Sequence, residues 1–473
     1  MDRDTLRREL VSAPVLPLLL RLAFPVVAVL VLQTLVGVAE TFYVSFLGTA
    51  ALAGVTLVFP VRMLMTMMSA GGIGGGVSSA VARAMGAGRT ADADALALHA
   101  LWLAVIFGAL FTVGALVGGP LLYRTLGGEG QTLGAALTYS RFVFIGAFPI
   151  WIVNLLAAAL RGAGSVRTPA IVTLAGAVVL VLLSPVLIFG IGPFPRFGIA
   201  GAGMAVTLFY LFAAIVLLLI MISGRAGLTL RWAPLRMRLF ADILGVGLLS
   251  AAGTFQLNVT IVLVTGAVGL FGADALAGYG IASRLDYLLI PLQFGLGTAV
   301  VTLVGTATGA GDGARARRAA WTGALLALAV TEAIGLLVAA APSLWLGLFS
   351  RDPAVLAAGA LYLTRIGPMY GAIGLGMLLY FAGQGNGRVA APFFAGTVRL
   401  GVAAGLGWLA VARFGAGLST LFVIVAAAAL LSGALTAVAV GLQLGPGAYA
   451  PSRVLDEPAG QAGPLTASQE SAR

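Results

Sequence analysis

The chain contains no cysteine, which excludes a disulfide framework and thiolate-bound metal. Lysine is absent as well: all 27 basic residues are arginine. Neither a lysine Schiff base nor a phosphate loop ending in Gly-Lys-Ser/Thr can be built. The single histidine, His99, leaves little for imidazole-bound metal or for a Ser-His-Asp site. Charge is scarce overall. Only 9% of the 473 residues are charged and 60% are hydrophobic, whereas a soluble domain carries roughly 25% charged residues. Such a chain cannot cover a water-facing surface, so it is an integral membrane protein whose solvent is the lipid bilayer. A membrane-embedded enzyme would lack catalytic groups, and no enzymatic activity, metal or cofactor is expected. The net charge of +11 fits the bias of basic residues toward cytoplasmic loops better than binding of nucleic acid.

A membrane-spanning helix needs about 20 apolar residues. Runs of that length, separated by Gly, Pro and Arg, predict twelve spans: 15–45, 53–82, 95–120, 136–160, 169–191, 198–223, 240–269, 277–308, 319–347, 358–383, 390–413 and 418–443. With the N-terminus inside, seventeen arginines fall in inner segments and four in outer connections. This asymmetry predicts a multi-pass protein of the inner (cytoplasmic) membrane with both termini cytoplasmic. No small-residue cleavage site closes a short apolar core near the charged N-terminus, so the first span is expected to be retained.

An internal repeat organises the chain. Leu47-Gly48-Thr49-Ala50-Ala51-Leu52-Ala53-Gly54 recurs as Phe271-Gly272-Ala273-Asp274-Ala275-Leu276-Ala277-Gly278. Gly86-Ala87-Gly88 matches Gly309-Ala310-Gly311, and Arg161-Gly162-Ala163-Gly164 matches Ala382-Gly383-Gln384-Gly385. Six spans therefore repeat as six. An even number per repeat keeps both halves in one orientation, related by an axis along the membrane normal, a device of transporters. The expected fold is all-α: twelve transmembrane helices in two six-helix lobes related by a pseudo-two-fold along that normal. The divisions are a cytoplasmic N-terminal segment (1–14), an N-terminal lobe (15–223), a cytoplasmic interlobe linker (224–239), a C-terminal lobe (240–445) and a disordered cytoplasmic tail (446–473), whose Pro, Gly, Ala, Ser and Glu content offers no span.

Few side chains inside the spans carry chemistry. Glu40 is a carboxylate within the first apolar run, and an intramembrane acid by default marks a substrate or ion pathway. Its rival reading places it at the outer headgroups. Glu332 is the other acid deep in a span; it either serves the second half similarly or pairs with an in-span arginine such as Arg399. Asp286 follows Arg284 closely, so a local ion pair is expected. Arg62 and Arg399 either pair with an acid or carbonyl groups or form a cationic cavity wall, and His99 is expected at the interface. The run Gly71-Gly72-Ile73-Gly74-Gly75-Gly76 lies inside a span and lacks the Gly-Lys-Ser/Thr of a phosphate loop. Its spacing lets helices approach closely, so Gly72 and Gly76 are expected to touch another helix. Pro25 removes a backbone hydrogen bond within span one and predicts a bend in the helix that carries Glu40.

In this order and duplicated, these features resemble the multidrug and toxin extrusion (MATE) transporters over about residues 15–445. The carriers are Pro25; an acid eight residues before Gly48; Gly86-Ala87-Gly88; Arg161-Gly162-Ala163-Gly164 with Pro169; Ser184-Pro185 through Gly190; Gly198 through Ala202; and Gly383-Gln384-Gly385 with Pro392. The resemblance implies two six-helix lobes facing each other as a V. It implies export of diverse, often cationic, amphipathic small molecules in exchange for H⁺ or Na⁺. It makes Glu40, where members usually carry Asp, the cation-coupling site, accompanied by the polar positions Asn154 and Thr207. Two departures stand out. Span five has Leu180 and Ser184 where many members carry Asn and Asp. Gln256 and Gly371 stand where some place acids, although Gln256 and Asn258 keep span seven polar. A second-lobe cation site is thus expected to be missing unless Glu332 replaces it, and H⁺ is the expected coupling ion, because Na⁺ wants several oxygens. A monomer is expected. The alternative is a flippase for lipid-linked oligosaccharide from the same superfamily, whose pyrophosphate Arg62 and Arg399 would suit.

Overall fold

A computed structural model describes residues 3–445, and no strand occurs among them. The chain begins with α1 (Arg3–Ser12) and α2 (Val15–Ser45). Span two consists of α3 (Thr49–Met67), a π-helical turn at Met68–Ile73 and α4 (Gly74–Gly86). There follow α5 (Thr90–Thr125), α6 (Gly130–Ile145), α7 (Ala147–Gly162), α8 (Arg167–Phe189) and α9 (Ile199–Ile222). The second half runs through α10 (Met237–Gly269), α11 (Ala273–Gly309), α12 (Gly313–Ala340), α13 (Ser343–Leu346) and α14 (Pro353–Ile366). A 3₁₀ turn at Gly367–Met369 joins α14 to α15 (Tyr370–Gly385). The last elements are α16 (Ala390–Leu400), a π-helical turn at Gly401–Leu406, α17 (Gly407–Phe414) and α18 (Leu418–Gln443). Eleven helical stretches are long and apolar enough to cross a membrane, and α6 with α7, bent by 46°, makes the twelfth.

The expected spans hold, with local differences. Span nine ends at Ala340 and not near 347, because Pro342 starts the separate short helix α13. Pro25 sits inside one uninterrupted helix, α2. The Gly-rich run is not regular α-helix: its first part forms the π-helical turn of span two. Segment 1–14 contains a helix, and 446–473 lies outside the described residues.

Backbone geometry repeats as the sequence does, except that the structure pairs Gly162 and Gly164 with Gly385 and Gly387, two residues beyond the motif match of Gly164 with Gly385. Positive φ angles recur at Gly48 and Gly272 (98° and 100°), Gly88 and Gly311 (74° and 76°), and Gly164 and Gly387 (84° and 77°). These left-handed turns admit glycine at no steric cost, which is why glycine marks the repeat in the sequence. Helix contacts repeat too. A Cβ on Gly86 would strike the backbone of Thr306, and one on Gly309 would strike the backbone of Arg83. Positions 83 and 306, like 86 and 309, are pseudo-equivalent, so α4 and α11 cross each other about the axis relating the lobes. Gly162 against Ser78 and Gly385 against Val301 form a second such pair.

The lobes meet on the side that carries the chain's N-terminus. There α4 and the last turns of α11 are buried throughout. The Arg83 guanidinium bonds Asp242 across the junction at 2.5 Å, and Ser79 Oγ donates to the Gln384 carbonyl. Gly72 abuts Ala251 and Gly76 abuts Gly247 of α10, the contact expected of the Gly-rich run. Helix α1 straps this side. Leu6 and Leu10 pack on Gly164, Arg7 Nη2 donates to the Gly86 carbonyl at 3.4 Å, and Arg315 of α12 donates to the carbonyls of Leu10 and Ala13.

His99 does not face outward from the helices. It is fully buried and pins the segment between the lobes to α5. The Arg236 backbone N–H donates to its Nε2 at 2.9 Å, and its Nδ1 stands 2.7 Å from the Ala95 carbonyl. With Nε2 accepting, the ring proton belongs on Nδ1.

Candidate functional site

In the first lobe, Glu40 lies one and a half turns from the end of α2. The packing of α2 beside α3 brings it to Arg62, with Arg62 Nη1 3.5 Å from Glu40 Oε2. Both side chains are mostly sequestered, at 24% exposure for Arg62 and 13% for Glu40. Tyr139 of α6 and Tyr210 of α9 face the pair. The second carboxylate oxygen, Oε1, is buried and accepts no hydrogen bond from the protein; nor does the buried Ser184 hydroxyl of α8 find a partner. One oxygen of Glu40 is thus tied to a cation and the other is open to a proton or a polar ligand.

Asn154 and Thr207 spend their polar atoms elsewhere. Asn154 Nδ2 donates to Ser69 Oγ at 2.7 Å, on the π-helical turn of span two. Thr207 Oγ1 donates to the Phe142 carbonyl at 2.8 Å. The residues assembled around Glu40 are Arg62, Tyr139 and Tyr210. The tyrosines carry no sequence signal of their own, because a tyrosine in a span is equally an interfacial anchor.

The second lobe departs from expectation. Glu332 does not pair with Arg399; its Oε2 accepts the backbone N–H of Gly371 at 2.7 Å, where α15 begins. It lines an apolar cavity of about 280 Å³ with Leu328, Leu375 and Leu430. Gln256 Nε2 donates to Thr397 Oγ1 at 2.8 Å, and Asn258 Nδ2 donates to the Thr254 carbonyl at 2.9 Å. No hydrogen bond links Gln256, Asn258 and Glu332 into one site. Asp286 does not pair with Arg284, whose guanidinium lies 5.9 Å from the Phe349 ring centroid. Its Oδ2 instead accepts the Tyr362 hydroxyl at 2.6 Å, and its Oδ1 accepts the Tyr370 hydroxyl.

Where the lobes join, Gly75, Ser78, Phe294 and Thr298 surround a cavity of about 10 Å³ with Arg161 and Gln384, room for about one water. Ser78 Oγ, Arg161 Nε and Gln384 Oε1 are buried there without a protein partner. In the sequence, Arg161 and Gln384 stood out only as members of repeated motifs. No cluster of three or more His, Cys, Asp or Glu side chains suited to a metal occurs among the described residues.

Comparison with known proteins agrees with this architecture. The MatE family profile matches residues 25–186 and 250–409. An FAD transporter of Shewanella oneidensis is 28% identical over 78% of this chain and 82% of its own length. The probable multidrug resistance protein NorM of Thermotoga maritima is 28% identical over 79% of this chain and 81% of its own. Among solved structures, a MOP superfamily transporter from Pyrococcus furiosus superposes with a TM-score of 0.84 at 24% identity, covering 93% of this chain and 97% of that one. An outward-facing multidrug resistance MATE family transporter gives 0.81 at 24% identity, covering 92% and 98%. With twelve spans in two lobes and both lobes matched by the family profile, the chain belongs to the MatE family of membrane transporters.

Proposed function

We propose that this transporter exports amphipathic, cationic small molecules from the cytoplasm by antiport with protons, and that Glu40 is the coupling group. The observation that carries the reading is the Glu40–Arg62 pair with its second oxygen unpartnered. Na⁺ would need several oxygens around a dehydrated ion, and the guanidinium of Arg62 stands where such an ion would have to sit. A proton needs one oxygen, and Oε1 is free for it. Protonation cancels the attraction that holds Arg62, whereas a bound organic cation competes with Arg62 for the carboxylate. Proton and substrate thus exclude each other at one group, which is what antiport requires. The cycle further needs the proton to bind one lobe arrangement more tightly than the other. The contacts between lobes lie on the N-terminal side, which favours access to Glu40 from the opposite side. The arginine asymmetry supports an inner-membrane location with both termini cytoplasmic. Lobes of 15–223 and 240–445 joined by 224–239 suffice as a monomer.

A second reading has a specific observation behind it. A relative of equal identity is named an FAD transporter, and Arg62, Arg161 and Arg399 would suit an anionic dinucleotide. The test is efflux from proteoliposomes under an imposed pH gradient or an imposed Na⁺ gradient, with a lipophilic organic cation and with FAD as alternative cargo. Cation efflux driven by the pH gradient and abolished by Glu40→Gln is expected. Drive by Na⁺ alone, or undiminished efflux in Glu40→Gln, would sink the proposal, and FAD movement in place of the cation would establish the second reading.

A further inference from the structure

Asp286 has a setting that the reading above does not use. It projects from α11 about 20 Å along the helix from its start by helical rise. Each oxygen accepts one tyrosine hydroxyl, Tyr362 from the last turns of α14 and Tyr370 from the first turn of α15. Between these tyrosines lies the 3₁₀ turn Gly367–Met369 that divides span ten. One carboxylate therefore fastens both sides of a joint to a third helix. Tyr362 and Tyr370 are nearly fully buried, and Tyr279, Tyr362 and Phe422 form an aromatic wall with ring centroids 5.2–6.1 Å apart.

The first lobe contains the same joint without this acid. Counted from the Gly54–Gly278 match, residue 286 is the repeat equivalent of Arg62. Gly54 meets Ala135 and Ala136 where Gly278 meets Ala358 and Gly359, which makes Tyr362 the equivalent of Tyr139 and places Gly367–Met369 at the turn of Gly146. There α6 and α7 are bent by 46° across a break at Gly146, whereas α14, the 3₁₀ turn and α15 form one continuous helical stretch, Pro353–Gly385. The lobe whose joint is strapped by a carboxylate is the one in which the helix runs through it without a break.

We propose that Asp286 is a second proton-binding site, in the second lobe, and that its protonation releases α14 to bend at Gly367–Met369. An ionised carboxylate has only acceptors, so it can take both hydroxyls. A carboxylic acid has an O–H of its own to donate, so only its carbonyl oxygen remains a good acceptor. Proton uptake therefore takes away the acceptor of one tyrosine hydroxyl, which can stay in contact only by turning to accept from the acid O–H, and that strap is weakened; no covalent bond other than the new O–H is made or broken. The charged and titratable groups around Asp286 allow both states. Tyr362 and Tyr370 donate to it, while Tyr279 and Arg399 stand within Coulombic reach. The Arg399 Nε is buried without a partner, and no ion pair within 4.0 Å joins it to Asp286. Tyr287 is on the same helix and half exposed, Arg284 lies over Phe349, and Glu332 of α12 is engaged by Gly371. Helix α18 has no charged residue, and those of α10, Arg238 and Asp242, lie at its far end.

The natural absence of cysteine makes the test direct. Ala357→Cys at the exposed end of α14 and Val438→Cys on α18 carry spin labels in the full-length protein in nanodiscs, and their distance is measured as pH is varied. The expected result is a pH-dependent shift on the order of 10 Å, the throw of 15 Å of helix turned through such an angle. The shift is lost in Asp286→Asn and kept in Glu40→Gln. Should Asp286→Asn not fold, Tyr370→Phe removes one strap at every pH and leaves the carboxylate, so it must hold the labels near the low-pH distance of the parent. A distance independent of pH in the parent, a shift surviving Asp286→Asn, or a parent-like pH-dependent shift in Tyr370→Phe overturns the proposal. Because Glu40→Gln is a separate arm, failure here leaves the Glu40 reading standing.

Discussion

Glu40 and Arg62 are 22 residues apart in sequence and 3.5 Å apart in space. Each alone is costly in a membrane interior, and removing one member of a buried pair typically costs about 3–5 kcal/mol because the other charge is left uncompensated. Arg62→Gln is therefore expected to destabilise the protein by about 3 kcal/mol. The double variant Glu40→Gln/Arg62→Gln should recover most of that loss. Thermal unfolding of the four proteins in detergent closes the cycle, and purely additive losses would show that the pair is not coupled. The acid was legible in the sequence because an intramembrane carboxylate stands out. Its partner was legible only as one of several arginines, since nothing in a linear pattern tells which helix faces which.

At the scale of elements, the glycine clusters explain how helices with few polar groups hold together. A Cβ on Gly76 would meet the Ile243 carbonyl and the Gly247 backbone, groups that cannot move without shifting α10. Overpacking of ordinary cores costs about 1–3 kcal/mol, and here the obstacle is backbone. Gly76→Leu is expected to lose at least that much and to abolish folding or transport. Normal expression with full efflux would refute the packing role. Gly118 of α5 offers a contrast: a Cβ there meets nothing within 4 Å. Glycine spacing announced close approach, but not the π-helical turn at Met68–Ile73, since a one-residue widening of a helix leaves no compositional trace.

For the whole molecule, the junction between lobes is shallow in charge and deep in glycine. Among the described residues one ion pair, Arg83–Asp242, crosses it, with Asp242 41% exposed. Such a pair contributes about 0–1 kcal/mol, so Asp242→Asn should move the balance between lobe arrangements by no more than about fivefold. Spin-label distances between lobes would measure that shift. A complete conversion to the opposite arrangement would mean that the ion pair, and not the helix crossing of α4 on α11, holds this side closed.

Composition, run length and the repeat determined the class of the protein: a helical membrane protein of twelve spans in two like-oriented lobes. Those properties follow from local rules, since apolar length sets a span and glycine marks a left-handed turn or a close crossing wherever it occurs. The tertiary structure alone decided the polar pairings. Asp286 sits two residues from Arg284 yet bonds Tyr362 and Tyr370, and Glu332 turns to the Gly371 backbone and not to Arg399. Inside a bilayer a polar group must find a partner among whatever helices surround it. Those neighbours are set by how twelve helices pack, which no stretch of the chain encodes by itself.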